Sequence, residues 1–304
     1  MKLIKPSFEI LEQLPGLEGM YKQIELAGRT CYKSEDKITE DSAKEFVDRM
    51  IKSGHGAMLE HGTVYLSLDM TSREQYFKYC YNKFSKANSI GNAEYSTWRG
   101  FVTTNLRVLI ENDWMEDLQY ICEPTEYHEK RHTVKFTCDR GVSHEFVRHR
   151  VFSFAQESTR YCNYSKDKFG NEITCILPPW LSENDLPKGF GYTSDDWGSL
   201  ICEFYYEATE KGKSEGFNIE PVRNFVFALQ TSEQLYFSLL KEGWKAQEAR
   251  SVLPNALKTE LVMTGFESDW KHFFELRCPG SAHPQARELA IPLQEKFKEL
   301  KWVD

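Results

Sequence analysis

The amino-acid sequence predicts an α+β fold in a single domain, residues 1–304, from three observations. Strand-like and helix-like segments both occur, the last third is mostly helical, and no linker divides the chain. Hydrophobic residues make up 40% and aromatic residues 14% of the 304 residues. This is enough apolar material for a sizeable core.

The first quarter of the chain predicts two strands and two helices. Residues 3–11 begin as a strand, and the apolar residues of 17–29 recur at helical spacing. Residues 40–53 predict a second helix with one apolar face, and Gly54 is its stop signal. Residues 63–68 are rich in β-branched and aromatic side chains and predict the next strand.

The middle of the chain is less regular. Apolar and polar residues alternate over 133–137 and predict a strand, and residues 142–150 predict a helix. The polar and aromatic segment 70–130 precedes them and includes one helical pattern over 105–120. Residues 163–195 are rich in Gly, Pro, Asn and Asp, which predicts a long loop.

The last third predicts helices with clear boundary signals. Ser232 is a plausible N-cap for a helix through Lys241, and Gly243 would end that helix. Residues 284–300 predict another helix with Pro284 in its first turn.

Composition limits the class of protein. Lys and Arg number 38 against 46 Asp and Glu, and this net charge of −8 argues against a general nucleic-acid coat. No stretch approaches the roughly 20 apolar residues of a membrane span, and the N-terminus does not resemble a signal peptide. The eight cysteines form no Cys-x-x-Cys pair. We therefore expect free thiols, a cytoplasmic location and no membrane partner.

The densest group of functional residue types lies in residues 148–161. It contains three arginines, a histidine and three hydroxyl side chains of Ser and Thr. Because the planar guanidinium group donates two parallel hydrogen bonds, arginine suits phosphate. The segment therefore predicts an anion-binding site, although a solvated charged face would show the same composition.

This segment resembles the signature of the flavin-dependent thymidylate synthases. Arg148-His149-Arg150 is followed by Ser153 and then by Ser158, Arg160 and Tyr161 in the family's order and spacing. The chain departs from the family at Ala155 and Gln156, before Glu157, where Asn-Glu is common. The resemblance implies a central, mostly antiparallel sheet flanked by helices, and a homotetramer with sites between subunits. Relative to shorter family members, residues 70–130 resemble an insertion.

The resemblance also implies roles for individual residues. The cofactor FAD would contact Cys31, His61, Thr63, Arg148, His149, Arg150, His272 and His283. The substrate, deoxyuridine monophosphate (dUMP), would contact Glu145, Arg148, Gln156, Glu157, Ser158, Thr159, Arg160, Arg250 and Arg277. The residues closest to the chemistry would be Arg148, Arg277 and His61.

The chemistry that the resemblance implies is reductive methylation of dUMP to dTMP. Methylenetetrahydrofolate would supply the carbon, and FAD reduced by NADPH or NADH would supply the hydride. Arginines would polarise the uracil carbonyl groups, so no cysteine would attack the ring. Cys162, directly after the signature, is then interpreted as a small buried hydrophobic residue.

Two other classes of protein deserve comparison. An RNA-binding protein could grip phosphate with the same arginines, but the acidic net charge and the absence of a basic stripe argue against it. A metal-dependent phosphohydrolase could use His55, His61 and His149, but no His-x-x-x-His or His-Asp pair supports it. His61 itself has a second interpretation, a histidine beside a helix that bonds a backbone carbonyl group.

Overall fold

A computed structural model describes residues 1–91, 97–166, 169–181 and 220–304. The chain divides into two compact units, and each is assembled from separate stretches of sequence. The first unit consists of Met1–Pro6, Cys138–Ser143 and Ser158–Thr259. The second unit consists of Ser7–Thr137, His144–Glu157 and Glu260–Asp304. The single domain stays a prediction.

Helices and strands alternate along most of the described chain. The α-helices are α1 (Gly16–Tyr32), α2 (Ser42–Lys52), α3 (Gly56–Leu59), α4 (Arg73–Cys80), α5 (Leu106–Glu111), α6 (Arg140–Phe146), α7 (Glu220–Lys241), α8 (Ala246–Ala249), α9 (Glu267–Arg277) and α10 (Pro284–Glu299). The strands are β1 (Lys2–Ile4), β2 (Ser7–Leu11), β3 (Thr63–Leu68), β4 (Lys86–Ile90), β5 (Arg99–Asn105), β6 (Arg131–Asp139), β7 (Ser153–Gln156), β8 (Thr174–Ile176) and β9 (Lys258–Phe266). None of the described helices is long and apolar enough to cross a membrane.

The described strands pair in three sheets. A four-stranded sheet has the order β2-β6-β9-β7, a three-stranded sheet has the order β3-β5-β4, and β1 pairs with β8. The pairs β2–β6, β3–β5, β4–β5 and β7–β9 are antiparallel, whereas β1–β8 is parallel. The predicted α+β class with mostly antiparallel pairing is confirmed.

The first predicted strand, residues 3–11, is two strands rather than one. Lys5 and Pro6 separate β1 from β2, and the two strands join different sheets. Proline has no backbone N–H and cannot donate to a strand ladder, so the pairing changes here. The predicted helices over 17–29 and 40–53 are confirmed as α1 and α2, and the strands over 63–68 and 133–137 as β3 and β6.

The segment 70–130 is folded, and part of it enlarges an existing sheet. Its strands β4 and β5 extend the sheet begun by β3. The helix predicted over 105–120 is interrupted: α5 is followed by a 3₁₀ helix over Met115–Tyr120. The Asn105 side chain caps α5 by accepting a hydrogen bond from the Val108 N–H at 3.2 Å. Asp113, with φ 59°, breaks the helical path in between.

Two predictions for the later part of the chain need correction or restriction. Ser232 is not an N-cap, because α7 begins at Glu220 and runs through it without a break. The hydroxyl of its neighbour Thr231 bonds back to the Phe227 carbonyl at 2.8 Å, inside the helix. The helix over 284–300 is confirmed as α10. Of the loop predicted over 163–195, residues 167–168 and 182–195 lie outside the described residues, as does Cys202.

Aromatic side chains form much of the core of the second unit. The rings of Phe146 and Phe273 pack edge to face with centroids 5.0 Å apart, and those of Phe152 and Trp270 do so at 4.7 Å. Gly265 in β9 permits this packing, because an added Cβ atom would lie 2.5 Å from the Phe152 ring. The strand β9 and the helix α9 are therefore closely fitted to the residues around the signature.

A row of polar side chains crosses the interior of the second unit. His61 is fully buried, and its Nδ1 lies 2.8 Å from the Thr264 hydroxyl oxygen. That oxygen lies 2.8 Å from the hydroxyl oxygen of Thr133. Burial, assisted by the nearby positive charge of Arg131, lowers the pKa of His61 from 6.5 to about 3. His61 is therefore neutral in the folded protein at physiological pH.

We predict that this buried histidine makes the protein sensitive to mild acid. Below pH 6.5 the unfolded chain protonates His61 while the folded chain does not, down to a pH of about 3. As the pH falls through this range, His61 should therefore lower the free energy of unfolding by up to about 1.4 kcal/mol per pH unit. Urea unfolding at pH 7, 6 and 5 should show a shallower pH dependence for His61→Gln than for the wild type.

The matched control is His144→Gln, because His144 is exposed on α6. This variant should keep the pH dependence of the wild type. Equal slopes for His61→Gln and the wild type would contradict the prediction.

Candidate active site

The signature begins on a helix and continues as a turn. The helix α6 ends at Phe146, so the prediction of a helix over 142–150 is wrong for its last turn. The His149 N–H donates to the Phe146 carbonyl at 3.1 Å, and the Phe152 N–H donates to the His149 carbonyl at 3.0 Å. Phe146 and Phe152 are both buried, so the chain must reverse between them.

This turn changes the geometry expected for Arg148 and Arg150. Arg148 and Arg150 do not point to different faces of a helix, because neither belongs to one. Both residues are exposed on the turn. Exposed guanidinium groups keep their full ability to pair with an anion.

Arg277 links the end of α9 to α6 and to the signature by three hydrogen bonds. Its Nη1 donates to Glu145 Oε2 at 2.6 Å, and its Nη2 donates to the Glu145 carbonyl at 2.8 Å. Its Nε donates to His149 Nε2 at 3.0 Å. Arg277 is therefore in direct contact with two other predicted site residues that lie more than 100 positions earlier in the sequence.

His149 is neutral and has a defined orientation. Burial, together with the positive charge of Arg277 and with His272, lowers its pKa to about 4. Because Nε2 accepts the hydrogen bond from Arg277, the remaining ring proton resides on Nδ1. The His272 ring lies 6.4 Å from the His149 ring, so this predicted cofactor residue belongs to the same group.

A second group of predicted residues lies within the first unit. Arg250 Nη1 donates to the Thr159 hydroxyl oxygen at 3.1 Å. Ser158 begins a tight turn, in which its Oγ accepts from the Arg160 N–H at 3.4 Å. The guanidinium groups of Arg160 and Arg250 are exposed. The first unit thus presents two cations and two hydroxyl groups at these positions, a composition that suits phosphate.

Two predicted positions are interior and are connected by an arginine that sequence reasoning missed. His61 and Thr63 are buried. Arg131 Nη1 donates to the Thr63 hydroxyl oxygen at 3.3 Å, and its charge contributes to the low pKa of His61. The only sequence signal for Arg131 is a cation at the start of an otherwise alternating strand.

The remaining predicted positions are dispersed. Burial raises the pKa of the Cys31 thiol, which lies against the backbone of Gln156. Glu157 is buried, and its N–H donates to the Glu260 carbonyl at 2.8 Å. His283 is exposed directly before α10.

The described cysteines are free thiols, and those in the interior are poor nucleophiles. Cys162 is 1% exposed within the core of the first unit, which confirms its interpretation as a buried hydrophobic residue. Burial raises the pKa of Cys175 to about 12. Among the described ranges, no three His, Cys, Asp or Glu side chains are grouped so that they could hold a metal ion. The cytoplasmic location stays a prediction.

Sequence comparison relates the chain to named proteins. It is 23% identical over 278 residues to the flavin-dependent thymidylate synthase of Corynebacterium aurimucosum, covering 91% of this chain and 75% of that protein. The enzyme of the same name from Geobacter sulfurreducens is 30% identical over 159 residues, 52% of each chain. That of Corynebacterium diphtheriae is 31% identical over 162 residues, 53% of this chain and 54% of that one. The chain thus spans about half the length of the latter two relatives.

Comparison with solved structures and with family patterns gives two further findings. The chain is similar to the crystal structure of a UMP/dUMP methylase from Streptomyces cacaoi bound with 5-Br dUMP, with a TM-score of 0.41 and 16% identity over 99% of this chain and 93% of that one. The pattern of the Thy1 family, described as thymidylate synthase complementing protein, matches residues 74–301. Since this match covers most of the sequence, the chain belongs to the family of flavin-dependent thymidylate synthases.

Proposed function

We propose that this chain is a flavin-dependent thymidylate synthase that converts dUMP to dTMP. The observation that carries the proposal is the contact between Arg250 and Thr159, at 3.1 Å, across 91 positions of sequence. The family resemblance implies separately for each of these residues that it contacts dUMP. Their direct contact supports a common role in one anion site.

The phosphate of dUMP is bound, in this proposal, by the cations and hydroxyl groups of the first unit. Arg160 and Arg250 supply charge, and Ser158 and Thr159 supply hydroxyl donors. The exposure of both guanidinium groups supports this role, because they can approach a phosphate group without breaking a buried ion pair.

The uracil ring is bound by Arg277. The hydrogen bonds to Glu145 and His149 fix the guanidinium group, and they use three of its five N–H groups. Two N–H groups remain for a carbonyl oxygen of the base. A fixed donor of this kind stabilises negative charge that develops on the ring, without reorganisation during the reaction.

FAD fits the donor set of the signature turn. The exposed guanidinium groups of Arg148 and Arg150 suit its phosphate groups, and Arg148 also contacts the substrate. Cys31, His61, Thr63, His149, His272 and His283 complete the proposed cofactor contacts, and Gln156 and Glu157 complete those to the substrate. The chemistry that FAD supplies when bound is hydride transfer, with NADPH or NADH as the reductant and methylenetetrahydrofolate as the carbon donor.

The direct test is spectroscopic. Protein incubated with FAD and passed through a gel-filtration column should elute with the absorbance of bound flavin. After anaerobic reduction, reoxidation should require both dUMP and methylenetetrahydrofolate, and dTMP should form. A colourless eluate at saturating FAD, or reoxidation without dTMP, would contradict the proposal.

We predict that Arg250→Ala weakens dUMP binding selectively. A hydrogen bond to a charged group contributes about 1.5–3 kcal/mol, so the Kd of dUMP should rise about tenfold to a hundredfold. Calorimetric titration would measure this change, and FAD binding should change much less. The matched control is Arg107→Ala, a half-buried arginine of the second unit that pairs with Glu60 and Glu111. Wild-type affinity in Arg250→Ala would remove this residue from the site.

We also propose that the protein is a homotetramer whose sites are formed by residues from different subunits. Flavin and nucleotide together are large, and a shared groove could enclose both. If so, inactive Arg160→Ala and inactive His283→Ala proteins should regain activity when mixed under conditions that exchange subunits. A fully active monomer in light scattering would rule out the shared site.

A further inference from the structure

Arg131 is a half-buried cation held by neutral hydrogen-bond acceptors. It opens β6, immediately after the 70–130 segment, and lies outside the positions that resemble the family signature. Among the described residues it forms no ion pair, and its Nε is both buried and without a hydrogen-bond partner. Burial lowers its pKa from 12.5 to about 10. A group this costly to bury needs compensating contacts.

Those contacts connect three separate segments of the second unit. Nη1 donates to the Glu60 carbonyl at 3.0 Å, where α3 ends, and to the Thr63 hydroxyl oxygen at 3.3 Å, where β3 begins. Nη2 donates to the Ser153 hydroxyl oxygen at 3.1 Å, where β7 begins. The two arms of the guanidinium group thus bridge the Glu60–Thr63 segment and the signature.

Ser153 is the point at which the signature turn is fixed. The turn that carries Arg148 and Arg150 ends there and continues as β7. The side chains of those two arginines are exposed, so the direction in which they point depends on how the backbone of the turn is held. The Arg131–Ser153 hydrogen bond holds one end of it, and the same guanidinium group holds the segment that contains His61 and Thr63.

We propose that Arg131 is a positioning residue for the flavin site, which fixes the signature turn against the His61–Thr63 segment. This inference rests on the proposed function. Arg131 itself does not contact the cofactor in this proposal. It acts through Ser153 and Thr63.

The bridge requires arginine rather than a positive charge alone. Its two Nη groups reach acceptors on two different strands at once, which a planar fork can do and a single ammonium group cannot. Arg131→Lys keeps the charge beside His61 but can hold only one side of the bridge. This substitution therefore separates geometry from electrostatics.

The first experiment uses the protein without added FAD. Amide hydrogen exchange of residues 147–156 should be about fivefold faster in Arg131→Lys than in the wild type, because the turn loses one of its attachments. The matched control is Arg107→Lys, which alters a surface arginine that pairs with the same Glu60 through its side chain. The control should exchange like the wild type. Unchanged exchange in a folded Arg131→Lys would overturn the proposal.

The second experiment measures FAD affinity by flavin fluorescence. Its Kd should rise about tenfold in Arg131→Lys and less in Ser153→Ala, which removes a single hydroxyl group and serves if Arg131→Lys does not fold. In the double variant the loss of affinity should be smaller than the sum of the two single losses, because either change alone already breaks the bridge. Fully additive losses of FAD affinity, or wild-type FAD affinity in Ser153→Ala, would overturn the proposal that Arg131 acts through Ser153. Wild type and Arg107→Lys that bind no FAD would instead refute the proposed function.

Discussion

Aromatic packing beneath the signature turn is the interaction on which the candidate site depends. Phe146 and Phe152 enclose the turn and pack against Phe273 and Trp270 of α9. Because these rings fix α9 against α6, Arg277 at the end of α9 arrives beside Glu145 and His149. A guanidinium group held by three hydrogen bonds tolerates little displacement. The geometry around Arg277 is therefore a consequence of the aromatic packing that positions α9.

The arginines of the site fall into two groups with different physical roles. Arg148 and Arg150 of the second unit, and Arg160 and Arg250 of the first, are exposed in a protein with a net charge of −8. Each pair presents positive charge that suits an anionic ligand. Arg131 and Arg277 are held by protein acceptors and join segments that are distant in sequence. Sequence motifs indicated the first group, because its proposed function is chemical. The second group includes the arginine that no motif indicated, because its function is geometric.

The same distinction explains how much could be predicted from the sequence. Alternation predicted β6, β-branched and aromatic composition predicted β3, and helical spacing predicted α1 and α2, because these signals are local in sequence. No local pattern predicted the end of α6 at Phe146, because it depends on the burial of Phe146 and Phe152 in one aromatic cluster. Ser232 was predicted as an N-cap but lies inside α7, because a helix can continue through a serine when the surrounding residues support the helix. The contact between His149 and Arg277 depends on tertiary packing that no local pattern records.

The position of β9 in its sheet has a consequence for synthesis on the ribosome. This strand lies between β6 and β7, and through Thr264 it contacts His61, 203 positions earlier. Until residues 258–266 have emerged, β6 and β7 each present an open edge that β9 will later cover. β6 and β7 therefore lack their β9 partner while about a hundred further residues are synthesised, at some 5–20 residues per second. During this interval the open edges of β6 and β7 are available for pairing with another chain.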